Sequence, residues 1–119
     1  MQFIQPLKPE EEYYFHEGCF IVEVSNSPAD AELSIARARV EPGVTTQWHQ
    51  LKDTTERYLI LAGQGQVEIG DNPPTLVTVG DVVIIPPAVK QRITNTSDED
   101  LLFAAICTPR FQRSNYCTP

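Results

Sequence analysis

One histidine and one glutamate, seven residues apart, are the residues whose types and spacing indicate chemistry in this sequence. His49 lies near the end of one segment with strand character, Glu56 begins the next, and the polar turn Lys52–Thr55 joins them. If the two strands pair, the imidazole and the carboxylate converge on one point. Together they suit a divalent first-row metal. The alternative for two such residues alone is a hydrogen-bonded histidine and a surface glutamate.

The segment around this pair has a defined spacing. It reads Gly43, five residues, His49, one residue, Leu51, four residues, Glu56, six residues and Gly63. This resembles the first motif of the cupin superfamily, G-x5-H-x-H-x3,4-E-x6-G, with Leu51 at its second histidine.

A second set of residues resembles the second cupin motif, G-x5-P-x-G-x2-H-x3-N. Its members here are Gly80, Pro86, Ala88, Gln91 and Asn95, with alanine for the glycine and glutamine for the histidine. Sixteen residues separate the motifs, as in small single-domain bacterial cupins. The resemblance implies a double-stranded β-helix, or jelly roll, but not one activity, since cupins include oxygenases, isomerases, lyases, storage proteins and sugar sensors.

The resemblance also implies a ligand set, because cupins with full metal sites use three histidines and one glutamate. This chain offers His49, Glu56 and the Gln91 amide oxygen for one divalent ion (zinc, manganese, nickel or iron). Glutamine is a weaker donor than imidazole, and an open shell suits polarising a carbonyl or activating water. In the metal-free alternative, the same side chains hydrogen-bond one another and a polar ligand in the barrel mouth.

Short strands must position these residues. Leu33–Val40 alternates with period two. Arg37 and Arg39 share a face that we expect to be solvated, and the alternative is that they face an oligomer partner or an anionic ligand. Val82–Ile85 is apolar on both faces and is predicted as a strand buried between layers. Repeated Gly and Pro turns between short strands, without a convincing helix, predict an all-β barrel or jelly roll independently of the resemblance.

The length predicts one domain over residues 1–119. We expect an N-terminal strand segment over 1–30, a core barrel over about 31–107, and a tail over 108–119 that runs across the surface without periodicity. One or two strands are expected over Tyr13–Val24, with Gly18 between them.

Several side chains near the candidate site have competing interpretations. Tyr58 shares the inward face of Glu56 and is either a catalytic proton donor or a core residue with a satisfied hydroxyl. Cys107 is expected to be inert core. His16 is expected on the surface, with replacement of a missing ligand as the alternative. Arg57 and Arg92 each follow a candidate ligand and therefore point away from the pocket.

The strand that carries His49 has two faces. Alternation places Thr45, Gln47, His49 and Leu51 on one face and Trp48 on the other. An outward tryptophan is expected to pack against a second subunit or the N-terminal segment. We therefore expect a homodimer, which is the commonest closed assembly.

Composition excludes several partner classes. A net charge of −7 with nine scattered basic residues argues against nucleic acid and against an anionic membrane surface. We expect no signal peptide, because the first residues lack a charged head followed by an apolar stretch. No apolar run approaches the length of about 20 residues needed to cross a bilayer, and the three cysteines lack C-x-x-C spacing. We expect a cytoplasmic protein with reduced thiols.

The sequence thus favours a small cytoplasmic cupin enzyme that binds one divalent metal at His49, Glu56 and Gln91 and has isomerase or lyase chemistry. Its substrate would be a small oxygen-rich molecule such as a sugar, sugar acid or sugar phosphate, with Glu56 or Tyr58 moving the proton. The alternative is a non-catalytic binding or sensing module with no or weak metal. A purely structural role through dimerisation fits the polar cluster less well.

Overall fold

Strands make up most of the regular structure of the computed structural model, which describes residues 2–119. The strands are β1 (Tyr13–Phe15), β2 (Cys19–Ser27), β3 (Asp30–Val40), β4 (Gln50–Leu51), β5 (Thr55–Ala62), β6 (Gln64–Ile69), β7 (Thr75–Thr78), β8 (Val82–Ile85), β9 (Gln91–Asn95), β10 (Leu101–Thr108) and β11 (Tyr116–Cys117). Two single-turn 3-10 helices span Pro9–Glu11 and Arg113–Asn115. No helix within residues 2–119 is long and apolar enough to cross a membrane.

Two antiparallel sheets enclose the core. The larger has the order β1-β2-β3-β10-β5-β8, and the smaller has the order β7-β6-β9. Isolated bridges join Thr45 to Thr94 and His49 to Gln91, which adds the chain before β4 to the smaller sheet. Buried apolar side chains of both sheets, including Ile60 and Phe103 from one and Val67 and Ile93 from the other, form one cluster. The predicted all-β jelly-roll barrel is confirmed.

The alternation predicted for Leu33–Val40 is present in β3. Its buried members are Ser34, Ala38 and Val40. Arg37 and Arg39 are not simply solvated, because both pair with Glu12 of the N-terminal segment, at 3.4 and 2.7 Å. Such partly exposed ion pairs contribute about 1 kcal/mol or less each. Their main consequence is to hold the N-terminal segment against β3.

The interpretation of Val82–Ile85 as a strand buried on both faces is wrong. This strand, β8, is at the edge of the larger sheet and pairs with β5. Val83 and Ile85 face the core at 8 and 2% exposure, whereas Val82 and Ile84 are 58 and 64% exposed. A continuous apolar run does not reveal whether a second layer covers the outer face, so the sequence could not separate the two cases.

The single face predicted for Thr45, Gln47, His49 and Leu51 is also wrong in part. His49 and Leu51 are buried, but Thr45 and Gln47 are exposed and Thr46 is buried instead. Thr45 pairs with Thr94 and His49 pairs with Gln91, so His49 is four residues after Thr45 while Gln91 is only three residues before Thr94. One extra residue in a strand is a β-bulge, which turns the following side chains to the other face. The bulge directs His49 inward.

Trp48 finds partners within the chain. Its ring is half-buried, with the Arg92 guanidinium carbon 4.4 Å and the Lys90 ammonium 5.0 Å from the ring centroid. Arg92 also pairs with Glu68 on β6. Cation–π contacts of this kind cover an aromatic face at the surface without a second subunit.

Asn95, the last residue of the second motif, joins three parts of the barrel. Its side chain is buried, and its amide nitrogen donates to the carbonyls of Val40 (2.9 Å) and Glu99 (2.7 Å). Its oxygen accepts from the backbone and hydroxyl of Ser97, both at 2.9 Å. The bond to Val40 is buried, and the other three are partly buried.

Replacing Asn95 with alanine should therefore lower the free energy of unfolding by roughly 2–3 kcal/mol, since buried backbone groups lose their partners. Urea denaturation measures the change. Asn72→Ala is the matched control, because Asn72 is exposed and donates one bond to Ile69; its effect should stay below about 0.5 kcal/mol. Similar losses in both variants would contradict the role of Asn95.

Candidate functional site

A small cavity lies at the end of the barrel where Ser34 of β3 pairs with Cys107 of β10. Its volume is about 60 Å³. The polar side chains on its wall include Glu17, Glu23, His49 and Glu56, and its aromatic wall consists of Tyr13, Phe15, Phe111 and Tyr116. Of the predicted site residues, the structure brings His49 and Glu56 to this wall.

Glu56 is held by two neighbours. One carboxylate oxygen accepts from the Gln91 amide at 2.7 Å, and the other lies 3.8 Å from the Cys107 thiol. Burial raises the pKa of Glu56 to about 7, although nearby His49 acts in the opposite direction. A carboxyl group that titrates near neutral pH is suited to donate or accept a proton.

His49 is 3% exposed and has a fixed orientation. Its Nδ1 lies 2.8 Å from the Gln47 carbonyl oxygen and 3.1 Å from the Glu17 carboxylate. A carbonyl oxygen only accepts hydrogen bonds, so Nδ1 carries a proton. Nε2 makes no hydrogen bond with residues 2–119 and is therefore available to a ligand in the cavity.

Tyr58 and Gln91 lie behind Glu56. The buried Tyr58 hydroxyl donates to the Gln91 side-chain oxygen, and the Gln91 nitrogen donates to Glu56. Neither residue lines the cavity wall. Burial raises the pKa of Tyr58, so its hydroxyl keeps its proton. The structure thus joins Tyr58, Gln91 and Glu56 in one chain of hydrogen bonds but does not bring the Tyr58 hydroxyl to a ligand.

These bonds bear on the ligand set His49, Glu56 and Gln91. The Gln91 oxygen already accepts a hydrogen bond from Tyr58. Only the His49 Nε2 and the Glu56 carboxylate therefore remain available to coordinate an ion. Within residues 2–119, no three His, Cys, Asp or Glu side chains are grouped closely enough to hold an ion. In this arrangement the side chains do not fit a divalent metal. The three-residue set stays a prediction that requires Gln91 to release Tyr58.

Glu17 belongs to the site and was missed by the sequence analysis. It lies in the turn between β1 and β2, and its side chain is 12% exposed. Besides contacting His49, its carboxylate accepts from the Cys19 thiol at 3.1 Å and from the Tyr116 hydroxyl at 3.3 Å. No local pattern marks it, because its place depends on how the N-terminal strands join the barrel. The adjacent His16 is exposed, as expected.

The C-terminal tail also enters the site, contrary to the expectation of an irregular surface segment. Tyr116 and Cys117 form β11, which pairs with β4. The Tyr116 ring stacks on His49, with centroids 5.4 Å apart and planes at 10°. Leu51, at the second-histidine position of the motif, pairs with Tyr116 in this ladder. The tail therefore forms one wall of the cavity.

The thiols near the site are unreactive in character. Cys19 and Cys107 are buried and free, and burial raises the pKa of both thiols. Nucleophilic cysteines have the opposite shift. This agrees with the expectation that Cys107 is inert.

Comparison with known proteins identifies the fold family. The family model described as "Cupin domain" matches residues 36–107. No curated protein matches the chain in sequence.

Solved structures share the fold at low sequence identity. A variant of Pac13 from Streptomyces, solved with uridine, is 15% identical with a TM-score of 0.81, covering 98% of this chain and 90% of that one. Pac13 is described as a nucleoside dehydratase. KdgF from Halomonas sp. is 17% identical, with a TM-score of 0.75 over 88% of this chain and 94% of that one. A Klebsiella pneumoniae protein with a double-stranded β-helix domain is 15% identical, with a TM-score of 0.75 over 91 and 90% of the two chains.

The raised pKa of Glu56 has a measurable effect on stability. Because the folded-state value is about 7, against 4.5 for the unperturbed carboxyl, the folded chain keeps a proton that the unfolded chain releases between these values. The free energy of unfolding should therefore fall on the order of 2 kcal/mol as the pH rises through this window. Glu56→Gln should remove that fall, and urea denaturation at about pH 5 and about pH 8 measures it.

Glu10→Gln is the control for this measurement, since Glu10 is exposed in the first 3-10 helix. It should keep the wild-type dependence on pH. A Glu56→Gln protein with the same pH dependence as wild type would show that Glu56 titrates normally in the folded state.

Proposed function

The chain belongs to the cupin domain family, and from this premise we propose a small enzyme that moves a proton on a small oxygen-rich metabolite in isomerase- or lyase-type chemistry. The observation that carries this proposal is the pairing of Glu56, with a pKa of about 7, and the unbonded His49 Nε2 on one cavity wall. One group can donate a proton while the other accepts one, which is the requirement for both reaction types.

Each of these residues has a separate role in the proposed reaction. His49 Nε2 accepts a proton from the substrate, and the neutral Glu56 carboxyl donates one to the oxygen that leaves or is re-formed as a hydroxyl. Glu17 and the Gln47 carbonyl keep the imidazole oriented through Nδ1. Tyr58, proposed from the sequence as catalytic, acts here as a positioning residue, because it reaches Glu56 only through Gln91.

The comparisons support this proposal at the level of reaction class. Pac13 is described as a nucleoside dehydratase, and elimination of water also requires one proton acceptor and one donor. At 15% identity the likeness to Pac13 extends to the fold alone, so the assignment to this chain rests on its own side chains.

Two alternatives keep the same cavity. A metal-dependent enzyme would hold one zinc, manganese, nickel or iron ion through His49, Glu56 and Gln91 once Gln91 released Tyr58. A non-catalytic binding or sensing module would hold its ligand in the same cavity. The cavity volume of about 60 Å³ is well below the roughly 150 Å³ that holds benzene. A larger substrate must therefore extend into the mouth of the cavity.

Turnover of a panel of sugars, sugar derivatives and nucleosides, followed by mass spectrometry, tests the proposal. We expect His49→Gln and Glu56→Gln each to lower the rate by at least about a hundredfold, the range typical of general acid–base groups. Tyr58→Phe should cost about tenfold or less, because it removes only a positioning bond, and Asp98→Asn, in an exposed turn, should have no effect. Turnover should survive a chelator.

Metal content separates the alternatives for the same untagged proteins. About one equivalent of metal in the wild type, lost in His49→Ala and Glu56→Ala, together with activity lost on chelation, would establish the metal-dependent enzyme. Binding without turnover of any compound would favour the non-catalytic module.

We also propose a cytoplasmic homodimer whose other partner is a small molecule rather than nucleic acid or a membrane. Three free cysteines and the net charge of −7 support the location and the excluded partners. An exposed apolar surface, formed by Leu61 of β5 with Val82 and Ile84 of β8, supports the dimer. Contiguous apolar surfaces of this kind mark interaction sites.

Light scattering should give a dimer mass for the wild type and a monomer mass for the Val82→Lys, Ile84→Lys double variant, because two charges would oppose burial of this surface. Replacing the exposed Glu41 and Glu99 with lysine adds the same number of positive groups elsewhere and should leave the dimer intact. A wild-type monomer at all concentrations would contradict the proposal.

A further inference from the structure

The outer face of the larger sheet is apolar over three adjacent strands, β10, β5 and β8. Side chains alternate along a strand, so the residues that pair in the register share a face. The outward apolar residues of these strands are Leu102, Ala104, Ile106, Leu59, Leu61, Val82 and Ile84. The apolar face of a sheet is normally buried against another layer. At the β5 and β8 end of this sheet the chain supplies no such layer.

The other half of the same face is covered by residues 2–12, which we call the N-terminal arm. Glu12 of the arm pairs with both outward arginines of β3, and the 3-10 helix Pro9–Glu11 lies against β2. Val22 of β2 is the register partner of outward Arg37, yet it is 0% exposed and does not belong to the core cluster. The arm therefore acts as a covering layer over β2 and β3.

The first part of the arm carries apolar side chains that its own chain leaves uncovered. Phe3, Ile4 and Leu7 are 89, 78 and 44% exposed. Single exposed apolar side chains are ordinary, but a group of large ones marks an interaction site. The chain thus has one apolar segment and one apolar sheet face, and neither covers the other within the protomer.

The strand order makes the covered and the bare halves complementary in a dimer. In the order β2-β3-β10-β5-β8, both β2 and β8 are two strands away from β10, or about 10 Å. If two outer faces meet around a two-fold axis along β10, the arm over β2 of each protomer lies opposite the bare β8 of its partner. Such an interface uses the same surface of both copies, as a closed two-fold dimer requires.

The charges of the two halves are also complementary. Among the outward residues of β10, β5 and β8, the only charged one is Arg57. It donates to the Thr108 hydroxyl at 2.7 Å and makes no ion pair with residues 2–119. The arm brings two exposed carboxylates, Glu10 and Glu11. Opposite charges across an interface favour one orientation of the two partners.

We propose that the N-terminal arm of each protomer packs on the outer face of β5 and β8 of a second copy, with its Phe3, Ile4 and Leu7 against the exposed apolar surface formed by Leu61, Val82 and Ile84. Each arm keeps its place on its own β2 and fills the space between the two sheets. This inference rests on the homodimer of the proposed function and names the segment that completes its interface.

One matched pair of substitutions tests the arm. Ile4→Asp should raise the dissociation constant of the dimer at least about tenfold, because it removes a buried aliphatic side chain and buries a charge. Leu76→Asp makes the same kind of change on β7 of the smaller sheet, where Leu76 is 70% exposed, and should dimerise like wild type. Sedimentation over a dilution series measures both. Equal dissociation constants for Ile4→Asp and wild type would overturn the proposal.

Cross-linking then locates the arm. Ile4→Cys protein is mixed with Ile84→Cys protein, allowed to exchange subunits and treated with a short bifunctional maleimide. Both proteins also carry Cys117→Ser, because Cys117 is partly exposed whereas the other two native cysteines are buried. The mixture should give a covalent dimer. Ile4→Cys mixed with Thr45→Cys, which is exposed on the smaller sheet, should give none. No cross-link to position 84 in a sample that sediments as a dimer would overturn the proposal.

The possible failures are distinguishable. A dimer that the Val82→Lys, Ile84→Lys variant disrupts but Ile4→Asp does not would retain the homodimer and reject the arm contact. A wild-type monomer would reject both and leave the bare face to a different protein. The proposed chemistry is tested separately, since neither Ile4 nor Ile84 lines the cavity that contains His49 and Glu56.

Discussion

The hydrogen bonds from Tyr58 through Gln91 to Glu56 determine the character of the site. They connect β5 of the larger sheet to β9 of the smaller one, and the Tyr58 and Gln91 side chains are almost fully buried. A glutamine can make both bonds because its side-chain amide carries an acceptor and a donor. The amide oxygen accepts from a hydroxyl, and the amide nitrogen donates to a carboxylate. A histidine at this position would offer a nitrogen to an ion. Gln91 instead uses its polar atoms within the protein, and Glu56 remains the group that faces the cavity.

Burial of Glu56 links the packing of the barrel to its chemistry. Removing water from a carboxyl group disfavours the charged form, and one amide bond and a nearby imidazole only partly offset this effect. The terminal segments complete the site. Glu17 from the first turn and Tyr116 from the tail hold His49 on two sides, so the barrel strands alone do not make the cavity. Glu17 adds a carboxylate to the wall, and Tyr116 adds an aromatic face.

Membership of the cupin domain family does not by itself identify the reaction of this protein. The cupin architecture is shared with proteins at 15 to 17% identity, a range in which a common fold leaves chemistry open. Two of the histidine positions of the family motif hold Leu51 and Gln91. The structure assigns both a role inside the protein, since Leu51 pairs with Tyr116 and Gln91 bonds to Tyr58. Both side chains therefore take part in contacts within the protein.

The sequence by itself determined the barrel, most of its strands and the position of His49 and Glu56 on one cavity wall. Period two in β3 and the glycine and proline turns are local properties, and motif positions carry local backbone demands; Ala88, which stands where the motif has glycine, has a left-handed φ of 62°. Only the tertiary structure decided the rest. The bulge before His49, the exposed outer face of β8, and the approach of Glu17 and Tyr116 depend on which distant segments pair. Periodicity contains no information about such partners, because each contact joins residues far apart along the chain.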